Sequence, residues 1–435
     1  MIGLALKSAH KSRTYNEMMG SKLAKILAFT LASAMVVSCG GSGDEPVNRD
    51  FESLRVYKSD SPYQDTAARC ARAESNSQYC TLATLPLLGI DYSDPGIPQI
   101  MERVVVSHAW MGERFEELLY ELPQELLPLF RSVTAIVIDD DIRPAYYSPG
   151  TGAIYLDPAF LWLTVAEKQT INPKQDYRAG FDDPLAFRQL NRYTKDGALP
   201  YRHLSLLDES TRELDDIVLL IARLLLHELV HANDFFPPDL LYTLPLDQKP
   251  YDTALSIERM WVSRRLSDDM PLSSNTMFSL AGVMYRGDDP SVSDLAITAS
   301  EVGDALEPDG AGDDYGYSSE NEDLAMLFET SMMKYFFDAD YELAFTDVPE
   351  DLSQCSSYQI GWGIRNRFAH EMVIDRAQFA VNNLLPDLDI QHFFDTTDPA
   401  TEISGDWCLE ASNSGNQQKP QLKRLTPIER LRPYL

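Results

Sequence analysis

Cysteine and histidine are both scarce, with 5 Cys and 7 His in 435 residues. No cysteines have the spacing of a metal knuckle, which argues against a cysteine-based metal site and makes any histidine pair at ligand spacing conspicuous. Basic charge is short as well: 37 Lys and Arg stand against 67 Asp and Glu, a net charge of −30. Such a surface repels phosphate backbones and argues against nucleic acid as a partner. By itself, the acidic excess reads as solubility. There is no repeat of fixed period, so a solenoid or propeller is disfavoured. The apolar run Ile26–Val37 is too short for a comfortable transmembrane helix. What remains is a composition 44% hydrophobic and 24% charged, that of a folded chain able to bury one large core or two modest ones.

The first 43 residues read as an address. Lys22 and Lys25 precede the apolar run, and Val36-Val37-Ser38-Cys39-Gly40 closes it. This ending resembles the lipobox of bacterial lipoproteins. The resemblance implies a signal peptide over 1–38, lipid on Cys39 as a membrane anchor, and a cell-envelope location. Gly40 after the cysteine favours the outer membrane. An ordinary signal peptide with Cys39 as a bystander is the alternative. Residues 39–50, with Gly40-Gly41-Ser42-Gly43, form a flexible tether. Four cysteines then remain: Cys70, Cys80, Cys355 and Cys408. An even number in an exported chain suggests two disulfides. Three pairings are open, and loop-closure entropy favours Cys70–Cys80 with Cys355–Cys408.

Along the chain, 51–120 reads as an N-terminal layer pinned by a disulfide, 121–345 as the central domain and 346–435 as a C-terminal helical extension. Phe115, Leu118, Leu119, Leu122, Leu126 and Leu129 recur at helical spacing, interrupted by Pro123 and Pro128, and predict one broken helix or two short ones. Val133–Ile138 predicts a buried strand, and Ala145–Leu156 a hairpin around Ser148-Pro149-Gly150-Thr151-Gly152. Residues 168–205 are polar and read as a long loop. Ser210-x-x-Glu213 has capping-box spacing and predicts a helix running on to Phe236, where Pro237-Pro238 stops it. A second strong helix begins near Glu320, and another covers about Ile364–Leu385. Asp139–Asp141 and Asp309–Asp314 read as solvated acidic loops without the spacing of an EF-hand. Arg365 and Arg367 read as helix-surface charges. Strands early and helices late indicate the α+β class.

The chemistry-bearing segment is His227-Glu228-Leu229-Val230-His231. On a helix, His227 and His231 share one face a turn apart, so both imidazoles reach a single Zn²⁺. Glu228, about 100° round from His227, reaches water beside the metal as a general base. A third protein ligand is needed. A metzincin would have a histidine at position 237, where this chain has Pro237. Asp234, one turn beyond His231, reads as a carboxylate hydrogen-bonding an imidazole from behind.

His227-Glu228-x-x-His231-Ala232-x-Asp234, then Tyr315-Gly316, then Glu322-x-x-Ala325-x-x-Phe328, resembles the gluzincin metallopeptidases, and within them the lethal-factor catalytic domain. The resemblance covers about half the chain as separate motifs. It implies a zincin-like fold, in which a small mixed or antiparallel sheet accompanies an active-site helix and a second helix carries the third ligand. It makes Glu322 that ligand and Tyr315 the donor to the developing oxyanion, with Glu320 and Tyr317 as competitors. It implies that the strand around Thr151–Leu156 is an edge against which an extended substrate pairs. The gap from His231 to Glu322 is longer than in compact members. The expected function is zinc-dependent hydrolysis of peptide bonds in a protein or peptide substrate outside the cytoplasm. The alternative is an inactive zincin-like scaffold serving as a surface binding lipoprotein.

Overall fold

The computed structural model describes residues 53–408, apart from 175, 203–205, 208 and 351–353. The leader and Cys39 lie outside them. The described residues form a mixed α+β structure with two small sheets. No helix among them is long and apolar enough to cross a membrane.

The first sheet has the order β1-β2-β3-β5-β4, from Arg55–Val56 (β1), Val104–Val106 (β2), Ile136–Ile138 (β3), Tyr146–Ser148 (β4) and Ala153–Leu156 (β5). Strands β2, β3 and β5 run parallel, and β1 and β4 are antiparallel edges. Because side chains alternate along a strand, the sheet divides two cores. Val104, Val106, Ile136, Ile138, Ile154 and Leu156 face the main core, whereas Val105, Val137 and Tyr155 face a smaller one with Leu54, Val56 and Ala67. Residues 53–80 therefore cover the sheet's second face, where the Tyr155 hydroxyl donates to the Ala71 carbonyl at 2.8 Å. The segment expected as a separate layer thus also supplies two strands of this sheet. The hairpin forms as expected, but its outer strand is β4, so the free edge is Tyr146–Ser148 rather than Thr151–Leu156.

The second sheet is antiparallel, in the order β6-β7-β8-β9: Phe187–Thr194, Asp340–Asp347, Ile360–Arg365 and Thr401–Glu402. Two expectations fail here. The presumed loop 168–205 contains β6, paired along its whole length with β7 from Phe187↔Asp347 to Thr194↔Asp340. Its polar residues, two of which (Gln189 and Asn191) line a cavity, hid the strand. The helix expected from Ile364 is instead strand β8. Asn366 then takes a left-handed conformation (φ 55°), and the Arg367 guanidinium turns inward. It donates to the carbonyls of Leu306, Asp309 and Ala311 at 2.6, 2.9 and 2.9 Å. Arg365 lies on β8 and pairs with Glu342 at 2.6 Å, and Arg367 opens a 3-10 turn with its side chain buried, so neither is a helix-surface charge. The helix itself starts later, at Ile374.

The main helices are Ala109–Glu121 (α1), Val218–Phe235 (α2), Val262–Asp269 (α3), Glu320–Phe337 (α4) and Ile374–Leu384 (α5). The broken helix is α1 followed by a 3-10 segment over Gln124–Ser132. Helix α2 starts later than its capping signal implies. Arg212 is buried and donates to the carbonyls of Trp162 and Ala159, at 2.9 Å each, while its N–H binds Leu163 O at 2.9 Å. That tie holds 209–213 extended, and Glu213 N–H donates to Asp216 at a 3-10 turn before the helix. Helix α4 is capped by the Ser319 hydroxyl, which accepts the Glu322 N–H at 3.2 Å. Buried on most sides, α2 and α4 pack together at the centre of the molecule. Two disulfides, Cys70–Cys80 and Cys355–Cys408, realise the local pairing.

Candidate metal centre

The pair α2 and α4 brings together residues 95 positions apart. His227 and His231 project from one face of α2, with ring centroids 5.0 Å apart. From the first turn of α4, Glu322 Oε2 lies 2.9 Å from His227 Nε2 and 3.4 Å from His231 Nε2. One donor atom from each of the three lies within 4.8 Å of the others, and the group could hold a metal ion. Two imidazole nitrogens and a carboxylate oxygen are a donor set that suits a divalent transition metal. Glu320 points elsewhere, with its carboxylate 3.7 Å from Arg264. Positions two apart on a helix do not share a face, so only one of the two acids can reach the histidines.

Charge is concentrated here. Burial alone would lower the His227 imidazole, but the Glu322 and Glu329 carboxylates on its two nitrogens raise it to about 9. Burial opposes ionisation of Glu322, yet His231 and His227 outweigh it and hold the carboxyl far below its ordinary range. Glu228 is the reverse case: burial raises it despite the two histidines. Its side chain is 5% exposed, and its Oε2 has no hydrogen-bond partner among the described residues. It lines a cavity of about 490 Å³ together with His227, Tyr315 and Glu329. An ionisable oxygen left unmatched beside a ligand triad fits a group waiting for a proton donor.

Tyr315 stacks on His227, with centroids 6.1 Å apart and planes 20° apart. Tyr317 is buried elsewhere, its hydroxyl donating to Asp309 at 2.9 Å. Asp234 does not hydrogen-bond an imidazole. Its carboxylate accepts from Ser263 N–H at 2.8 Å and from the Asn321 amide at 2.7 Å, tying the end of α2 to α3 and α4. The carboxylate behind an imidazole is Glu329, whose Oε2 lies 3.0 Å from His227 Nδ1. Its other oxygen accepts from the Tyr193 hydroxyl at 2.8 Å and Arg223 Nε at 3.1 Å. Glu329 went unnoticed in the sequence, although it stands seven residues after Glu322, two turns along the same face.

No protein-family model, curated protein or solved structure matches this chain. The site's chemistry therefore rests on its own residues. The acidic loop expected in solvent is also part of this region: Asp309, Asp313 and Asp314 are buried, and Asp313 lines the cavity.

Proposed function

We propose that the chain is a zinc metallopeptidase of gluzincin type, with a zincin-like catalytic fold. The observation that carries this reading is the convergence of His227, His231 and Glu322 within 4.8 Å, with the unpartnered Glu228 oxygen beside them. His227, His231 and Glu322 would hold the ion. When bound, zinc supplies a Lewis acid that lowers the pKa of water and polarises a carbonyl.

The chain's own residues supply the remainder. Glu228 accepts a proton from the attacking water at Oε2 and passes it to the leaving amine nitrogen. Burial, which raises its pKa, makes it both a competent base and a competent donor. The Tyr315 hydroxyl donates to the oxyanion that forms as the carbonyl is attacked. Glu329 fixes the orientation of the His227 ring through Nδ1. Pro144 and Ala145, at the entry to edge strand β4, line the cavity, and an extended peptide can pair along that free edge. The leader and Cys39 support placing the enzyme outside the cytoplasm as a lipid-anchored protein of the bacterial envelope, and the two disulfides agree with such a compartment.

The test is metal analysis and peptide-library cleavage by wild type beside Glu228→Gln. We expect one zinc per chain in both and a roughly 10²- to 10⁴-fold loss of turnover in the variant. Turnover retained by a clean Glu228→Gln preparation would remove the proposal.

A further inference from the structure

The cavity beside Glu228 carries acidic groups beyond Glu228 and Glu329, the two that the hydrolytic chemistry uses. Five carboxyl side chains line it, those of Asp176, Asp182, Glu228, Asp313 and Glu329, against two guanidiniums, Arg178 and Arg223. Both guanidiniums are already engaged. Arg178 forks onto Asp176, with Nε and Nη2 at 3.1 and 2.8 Å, and Arg223 Nε meets Glu329 at 3.1 Å. Asp182 lies 3.9 Å from Arg188. Among the described residues, Asp313, 1% exposed, accepts hydrogen bonds from neutral donors, the Gly316 N–H at 3.2 Å and the Tyr341 hydroxyl at 3.0 Å. Next to it, Asp314 accepts from the Tyr285 hydroxyl, while its Oδ1 is buried with no hydrogen-bond partner among the described residues.

We propose that this cavity is a specificity pocket for a cationic side chain, lysine or arginine, of the peptide substrate, with Asp313 receiving the charge. The proposal rests on the peptidase reading and names its substrate class. An acidic side chain would have to break an existing carboxylate–guanidinium pair, and an aliphatic one gives Asp313 no ionic partner, so burial keeps its proton in place. A cation instead draws that proton off and pairs with the carboxylate. About 490 Å³ is within the range that accommodates a ligand group. Tyr285 and Tyr315, packed edge to face at 4.7 Å, offer ring surface to an aliphatic stem or a cationic head. Gln189 and Asn191, two apart on β6 and so on one face of the strand, add amide groups to the wall. The net charge of −30 favours the approach of cationic peptides at long range.

The experiment uses full-chain protein loaded with zinc. One arm measures kcat/KM on peptides that differ only in carrying Lys, Arg, norleucine or Glu at each position flanking the scissile bond. Lys or Arg at one position should exceed norleucine at least tenfold, with Glu slowest, and Asp313→Asn should bring the Lys-to-norleucine ratio towards one at unchanged zinc content. A second arm needs no turnover. Agmatine should bind wild type by titration calorimetry, bind Asp313→Asn at least tenfold more weakly, and bind the exposed-site control Asp398→Asn as it binds wild type. If Asp313→Asn fails to fold, Asn191→Lys replaces it, and the lysine should block agmatine. Cleavage with no basic preference, or agmatine binding indifferent to the cavity variants, overturns the pocket while leaving the peptidase intact. Asp313-dependent agmatine binding without cleavage of any peptide sinks the peptidase reading and leaves a cation site.

Discussion

Glu320 and Glu322 stand two positions apart at the start of α4, and composition cannot separate them. Helical geometry can, because a step of two turns the side chain to roughly the opposite face. Glu322 reaches His227 and His231, whereas Glu320 reaches Arg264. Glu322→Ala should therefore abolish stoichiometric metal in dialysed protein, while Glu320→Ala retains it, with both read by elemental analysis. Metal loss from Glu320→Ala alone would reverse the assignment. Glu329 acts one step removed. Replacing it with Gln leaves an acceptor for Tyr193 but weakens the hold on His227 Nδ1, and loss of such a partner typically costs about 10- to 100-fold in metal affinity. A competition titration with a chromophoric chelator would measure this. An unchanged dissociation constant would mean that the His227–Glu329 contact is only structural.

At the scale of elements, the legible parts were those whose burial is written in apolar periodicity. The run from Leu214 to Phe236 has no Gly or Pro, and Ala135–Ile138 is wholly apolar, so a helix and a strand could be read there. The hidden parts are those where a polar residue serves the interior. Strand β6 carries Arg188, Gln189, Asn191 and Arg192 and reads as loop, because its partners, Glu342 among them, lie some 150 positions away. Arg367 reads as a surface charge, yet it, like Arg212 and Arg376, fastens backbone carbonyls from another segment. His227, Glu228 and His231 were legible as candidates because one helical turn holds them. Glu322 was reached through resemblance, Asp313 was read only as part of a solvated acidic loop, and Glu329, Asp176 and Asp182 were not singled out at all. Arg376 offers a test of such an interior cation. From α5 it meets both oxygens of Asp323 at 3.0 and 2.5 Å, and both side chains are about 5% exposed or less. Arg376→Ala strands Asp323 in the interior beside Glu322. The expected cost is about 3–5 kcal/mol, read as a shift in the urea midpoint at constant slope. A change below about 1 kcal/mol would show that the pair contributes little beyond an exposed one.

For the whole molecule, the acidic excess is partly internal, and that gives stability a pH dependence of determinate sign. Burial, followed for Asp313 by the charge of Asp314, raises both carboxyls, so the folded pair releases its protons between about 6 and about 8, against 3.8 for an ordinary aspartate. In the folded state the pair thus holds protons that the unfolded chain has already lost. A raised folded pKa means a stabilising contribution that is complete below the unfolded value and disappears as pH rises through the folded one. Asp309 and Asp294 are shifted the other way, their hydrogen bonds outweighing burial, so they lose stability only below the ordinary aspartate range. Between pH 5 and pH 8 the buried pair adds to the slope in the same sense as His227, whose imidazole is raised to about 9. Thermal melts of chelator-treated protein should rise in midpoint as pH is lowered from 8 to 5.5. Asp313→Asn should flatten that rise, because an amide holds its hydrogens at every pH. Equal slopes in wild type and variant would mean that the pair is ionised throughout the range, and that some other cation within the fold already compensates it.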